Sequence, residues 1–146
     1  MPQIFEHKIQ INASLETVDR TITDRRLMHQ WLNPALRCDP VGEWSTDVGA
    51  KSRFIIQVPL WYPVLESTVI ERHLGLVVWS FDGFFKGTDR WECQPAQDQV
   101  CLTNRFEFQI PNPTIAFGFN TFAARWTRKD MQAQLIRLKQ VAESIE

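Results

Sequence analysis

The stretch TDRWECQPAQDQVCLTNRFEFQI (Thr88–Ile110) decides the fold. Trp91 stands between Arg90 and Glu92, and Phe106, Phe108 and Ile110 alternate with Arg105, Glu107 and Gln109. A period of two belongs to strands with one face buried and the other in water. Between the runs Thr88–Gln94 and Val100–Ile110 lie Pro95 to Asp98, residues suited to a short turn, so the two strands should pair antiparallel. With Trp91 and Phe106 on one face, opposed residues have position numbers summing to an odd value. Cys93 and Cys101 sum to an even one, which puts them on different faces and argues against a disulfide between them.

Upstream, Phe5, His7, Ile9 and Ile11 alternate with Glu6, Lys8, Gln10 and Asn12, which reads as a first strand. Ser14 is placed to cap a short helix carrying Leu15, Val18 and Ile22. Asp24 is placed to cap a second, with Leu27, Met28, Trp31 and Leu32, stopped by Asn33-Pro34. The runs Leu36–Trp44, Ala50–Val58, Val64–His73 and Leu76–Asp82 complete seven strands joined by short connections, a meander. Downstream, Met131, Leu135, Leu138, Ala142 and Ile145 recur at helical spacing and predict a long amphipathic C-terminal helix. Strands with a helix packed across them make a single α+β domain over residues 1–146.

Sixteen Lys+Arg against seventeen Asp+Glu leave a formal charge of -1, which offers no general attraction to nucleic acid or anionic membranes. No run approaches the ~18 apolar residues of a membrane span. Three cysteines without metal spacing, and the opening MPQIFEHKIQ (Met1–Gln10), fit a reducing cytoplasm. His7, His29 and His73 are far apart, and no nucleotide or nucleophile fingerprint is present, so neither metal nor cofactor is expected.

INASLETV (Ile11–Val18), the ITD…MHQWLNP segment (Ile22–Pro34) and GTDRWEC (Gly87–Cys93), in this order of elements, resemble the polyketide cyclase/dehydrase branch of the START-like (SRPBCC) superfamily. The resemblance implies a helix-grip fold, in which a bent seven-stranded antiparallel sheet wraps the long C-terminal helix, with two short helices after strand one. It also implies an apolar cavity between sheet and helix, entered near the helix N-terminus, and a ligand-binding role for the domain.

In a meander every second turn falls at the same end. The turns PLWYP (Pro59–Pro63), GFFKG (Gly83–Gly87) and PNPTIAFGFN (Pro111–Asn120) should therefore gather at one pole, and all are apolar. The other three turns are mostly small or polar. Running the buried helix face backward from Met131 meets Thr127, Ala124 and Asn120, small side chains that would leave room beneath them. Opposite should stand Phe54, Ile56, Val58, Trp79, Phe81, Trp91, Phe106 and Phe108, with Trp61 in the first apolar turn. Each of these either packs a core or lines a pocket. Asn104 shares their parity and is either a headgroup-orienting polar group or a satisfied buried amide. Ile115, Phe119, Phe122 and Trp126 form a second helical stripe, read as cover over the turns in preference to a contact surface such as a homodimer face.

The leading function is binding or carriage of a small lipophilic ligand, aromatic, polyketide or isoprenoid-like, without catalysis. The alternative is a cyclase/dehydratase using an inward acid, Asp82 or Asp89. A third is a protein-interaction module using Arg125, Arg128, Lys129, Arg137 and Lys139.

Overall fold

The computed structural model describes residues 3–57, 64–83, 85–118 and 124–145. β1 (Gln3–Ile11) leads into α1 (Leu15–Thr23) and α2 (Arg25–Trp31). Then come β2 (Leu36–Pro40), β3 (Lys51–Ile56), β4 (Val64–His73), β5 (Leu76–Gly83), β6 (Lys86–Ala96) and β7 (Gln99–Gln109), followed by α3 (Pro113–Gly118) and α4 (Ala124–Ile145). The strands form one antiparallel sheet in the order β1-β7-β6-β5-β4-β3-β2. This is the helix-grip α+β arrangement.

The small helices start where their caps dictate. Ser14 Oγ accepts from the Thr17 N–H at 3.2 Å, and Asp24 Oδ1 accepts from the N–H groups of Arg26 at 2.9 Å and Leu27 at 3.2 Å. Both helices pack on α4. Arg137 donates to the Trp31 carbonyl at 2.9 Å, and Gln134 Oε1 accepts from the Asn33 N–H at 3.0 Å. Asp19 fastens α1 to the β4–β5 hairpin. Its two carboxylate oxygens take Arg72 at 2.7 and 2.9 Å, and Oδ1 also accepts from the Gly75 N–H at 2.9 Å.

The register of the last hairpin pairs Trp91 with Asn104, Asp89 with Phe106 and Cys93 with Leu102, so paired numbers sum to an odd value and Cys93 and Cys101 face opposite ways. The register also settles the two poles. The ends of β3, β5 and β7 lie together with the starts of β1, β4 and β6. Of the apolar turns, 83, 85–87 and 111–118 fall at this pole, while 59–63 lies outside the described residues.

Much of the core lies toward the other pole. Val18, Ile22, Trp31, Leu102, Leu135, Leu138 and Ala142 are buried together there, and the Trp31 and Trp91 rings lie 5.1 Å apart. Apolar burial of this kind is the main stabilising term of a domain.

Three sequence expectations need correction. β2 stops at Pro40, not Trp44, because the Trp44 indole turns back to donate to the Thr23 carbonyl at 2.9 Å. Among the described residues the chain from Pro113 onward forms α3, ending at Gly118, and α4, starting at Ala124. Trp126 does not cover the turns: it is 77% exposed on α4, on the side turned from the sheet. Phe119 and Phe122 lie outside the described residues.

Candidate functional site

The inner face of the sheet at the apolar pole carries a connected set of rings. Phe54 on β3 meets Phe81 at 5.5 Å and Trp79 at 6.5 Å, and Phe81 meets Phe106 at 6.1 Å. Phe106 stacks on Phe108 at 4.7 Å, Phe85 approaches both, and Phe108 meets Phe5 edge-on at 5.2 Å. Most are edge-to-face, the geometry the ring quadrupoles favour. The ring set draws on β1, β3, β5 and β7 and the residue just before β6, because period-two alternation sends the same parity inward on each strand. Ala124 of α4 packs on the Phe5–Phe108 end of it.

Of the residues expected to line a cavity, Trp79, Phe81, Trp91, Asn104 and Phe108 are buried, while Phe54, Ile56, Phe106, Ala124 and Thr127 are only half-buried. Val58, Trp61 and Asn120 lie outside the described residues.

Within this largely apolar wall, besides the buried Ser52–Ser67 hydroxyl pair, sits a polar cluster centred on Asp89. Asp89 Oδ1 accepts from Asn104 Nδ2 at 2.7 Å, and Oδ2 accepts from the Trp91 indole N–H at 2.9 Å. Asn104 is 1% exposed and also donates to the Arg90 carbonyl at 3.3 Å, so its amide group is committed to holding the carboxyl. Trp79 and Phe106 are the cross-strand neighbours of Asp89. Burial raises the Asp89 pKa to about 6 against the opposing pull of the Asn104 and Trp91 hydrogen bonds. Composition gave no reason to single Asp89 out from the other strand acids. The available signal was its position two residues before Trp91, which fixes its side chain on the same face. Asp82, the other acid considered, is exposed and lies 3.8 Å from Lys86.

A second polar group borders the wall. His7 pairs with Asn104 across β1 and β7, and its Nδ1 is buried without a hydrogen-bond partner. Burial, and then the charge of Arg128, lower its pKa. Thiol chemistry has little support, since burial pushes Cys38 and Cys93 up to about 12. Among the described residues no three His, Cys, Asp or Glu side chains are grouped to hold a metal, and no helix is long and apolar enough to cross a membrane.

Among the described residues, hollows open on the outside. One of about 650 Å³ is a shallow cleft beside Asp19, Arg25 and Trp44, and one of about 470 Å³ runs between β1 and α4 past His7 and Leu135. The first is the larger but is lined by charged residues and lies away from the aromatic wall. The basic residues of α4 are partly spent within the fold: Arg128 sits 4.6 Å over the Phe5 ring, Arg137 holds Trp31, and Lys139 donates to the Gln10 carbonyl at 2.6 Å.

Residues 2–143 match the family model described as polyketide cyclase/dehydrase and lipid transport. The chain belongs to this family. Solved structures agree on the fold. TTHA0849 from Thermus thermophilus superposes with a TM-score of 0.79 at 11% identity, covering 99% of both chains. CV1439 from Chromobacterium violaceum gives 0.73 at 14% identity over 96% of each chain. A START superfamily protein from Mycobacterium smegmatis gives 0.66 at 16% identity, covering 97% of this chain and 94% of its own. No curated protein matches the sequence.

Proposed function

We propose that the protein binds and carries a small lipophilic ligand between the inner face of the sheet and the N-terminal half of α4. One observation carries the reading. Asp89 is set so deep in the protein that burial dominates its pKa, yet it keeps accessible surface, as do Phe54, Phe85 and Phe106 beside it. Deep groups that keep accessible surface are what the wall of a ligand hollow would show. Burial of ligand surface against these rings would supply affinity at ~25 cal/mol per Å² of apolar area. The small side chains of α4 at Ala124 and Thr127 support the same placement. Native mass spectrometry on purified protein, before and after solvent extraction and reloading, tests it. One ligand mass per chain is expected, and failure to carry any apolar compound contradicts the reading.

Asp89 favours a second reading, a cyclase/dehydratase. A carboxyl with a pKa of about 6 among aromatic rings suits proton transfer beside a carbonyl at neutral pH. Loss of turnover in Asp89→Asn with ligand affinity retained would favour catalysis, and unchanged turnover would remove Asp89 from it.

A further inference from the structure

The polar cluster in the aromatic wall specifies the chemistry of the ligand's polar end, on the reading that a ligand lies there. An ionised carboxylate is an acceptor with two lone-pair directions on each oxygen. Asn104 Nδ2 occupies one direction on Oδ1 and the Trp91 indole N–H one on Oδ2, so one on each oxygen remains. Both protein partners are donors, which favours the charged acceptor form against the larger opposing effect of burial. No basic side chain among the described residues pairs with Asp89: the salt-bridging arginines of β6 and β7, Arg90 and Arg105, reach Glu71, Glu92 and Glu6. A carboxylate left with spare acceptor capacity and no cation among the described residues, in a mostly apolar wall whose other buried hydroxyls, Ser52 and Ser67, are bonded to each other, is incomplete without a donor.

The rings around it have the same preference. Trp79 and Phe106 flank Asp89 on the neighbouring strands, with Phe81 and Phe54 beyond. Ring faces carry negative charge density and favour a cation or an X–H group over an anion. We propose that the ligand presents a hydrogen-bond donor, a hydroxyl or an ammonium group on an apolar skeleton, to the Asp89 carboxylate, and that carboxylate-headed lipids are rejected.

Protonation of Asp89 reverses the rule, because a neutral carboxyl offers a donor of its own. Above pH 6 the site accepts and below it the site can give, so an acceptor-only ketone should gain as a donor-only ammonium loses. Among the described residues, the other groups on the packed elements are these. β5 brings Trp79 and Phe81, β7 brings Asn104 and Phe106, and α2 brings Trp31 against Trp91. β1 brings His7 opposite Asn104, and α4 brings Arg128 over Phe5. Neither His7 nor Arg128 is among the causes of the Asp89 shift.

The test measures dissociation constants of the solvent-extracted full chain for decylamine, decanol, 2-decanone and decanoate at pH 7.5, and for decylamine and 2-decanone again at pH 5. At pH 7.5 the amine and the alcohol should bind at least about tenfold more tightly than the ketone and the carboxylate, the scale of one hydrogen bond to a charged group. At pH 5 the amine-to-ketone ratio should fall about tenfold or more. Asp89→Asn should bring the amine and the ketone within about threefold at both pH values, its fold checked by circular dichroism. Should that variant not fold, the pH series on the natural chain decides alone. Equal affinities at pH 7.5, a carboxylate preference, a ratio insensitive to pH, or a preference surviving in a folded Asp89→Asn would each overturn the proposal while leaving carriage intact. Failure of all four probes to bind would overturn both.

Discussion

At the scale of single residues, Asp89 matters most, because its environment works against its charge. Its pKa is raised to about 6 from 3.8, so the folded state holds a proton that the unfolded chain has already released. Stability contributed at this position is therefore present below about pH 4, is lost as pH rises to about 6, and changes little beyond. The shift corresponds to roughly 3 kcal/mol. Asp89→Asn has no such proton to lose, so its stability relative to the natural chain should rise by up to about 3 kcal/mol between pH 4 and pH 7 in urea unfolding. A flat difference would mean that Asp89 is solvated. Asp19 provides the contrast, as a carboxylate already completed by Arg72 and the Gly75 N–H. Asp19→Ala should cost about 3–5 kcal/mol in the same measurement, since it strands a partly buried guanidinium, yet should leave ligand affinity unchanged. Neither environment was written in composition. Asp89 had a readable parity but no readable partners, and Arg72 lies 53 positions from Asp19, a distance only the folded hairpin closes.

At the scale of elements, alternation and caps were legible because they are local. β4 runs Val64–His73 and the two small helices begin after Ser14 and Asp24, as the residues themselves dictate. Trp44 misled because an indole looks strand-like until its N–H finds the Thr23 carbonyl. Trp126 misled because a helical stripe does not say which neighbour it meets, and here it meets solvent. Trp126→Ser should therefore change stability by no more than about 0.5 kcal/mol in thermal unfolding. A large loss would show that the stripe is cover after all. Gly87 is the opposite case. It sits opposite Phe108, where an added Cβ would run into the Glu107 carbonyl and lie 2.7 Å from the Phe108 Cα. Gly87→Ala should destabilise by about 1–3 kcal/mol and weaken ligand binding, since it pushes apart the strands that carry Phe106 and Asp89. An unchanged melting temperature would contradict that close approach.

At the scale of the whole molecule, the division of labour between the two poles organises the account. Toward the pole of the polar turns, α1, α2 and the C-terminal half of α4 fill the sheet with Val18, Ile22, Leu135 and Leu138. Toward the other, among the described residues, rings are joined edge to face, small residues stand on the helix above, and Phe54, Phe85 and Phe106 stay half-buried. The sequence disclosed this asymmetry through its turns, whereas the polar centre of the wall emerged only when strands β5, β6 and β7 were laid side by side. A crystal structure of the chain loaded with decylamine tests the central claim most directly. The account predicts density for one ligand between Phe54, Phe106 and α4, with its nitrogen within hydrogen-bonding distance of Asp89. An interior filled by side chains, with the ligand absent or held on the outer surface near Trp126, would contradict it.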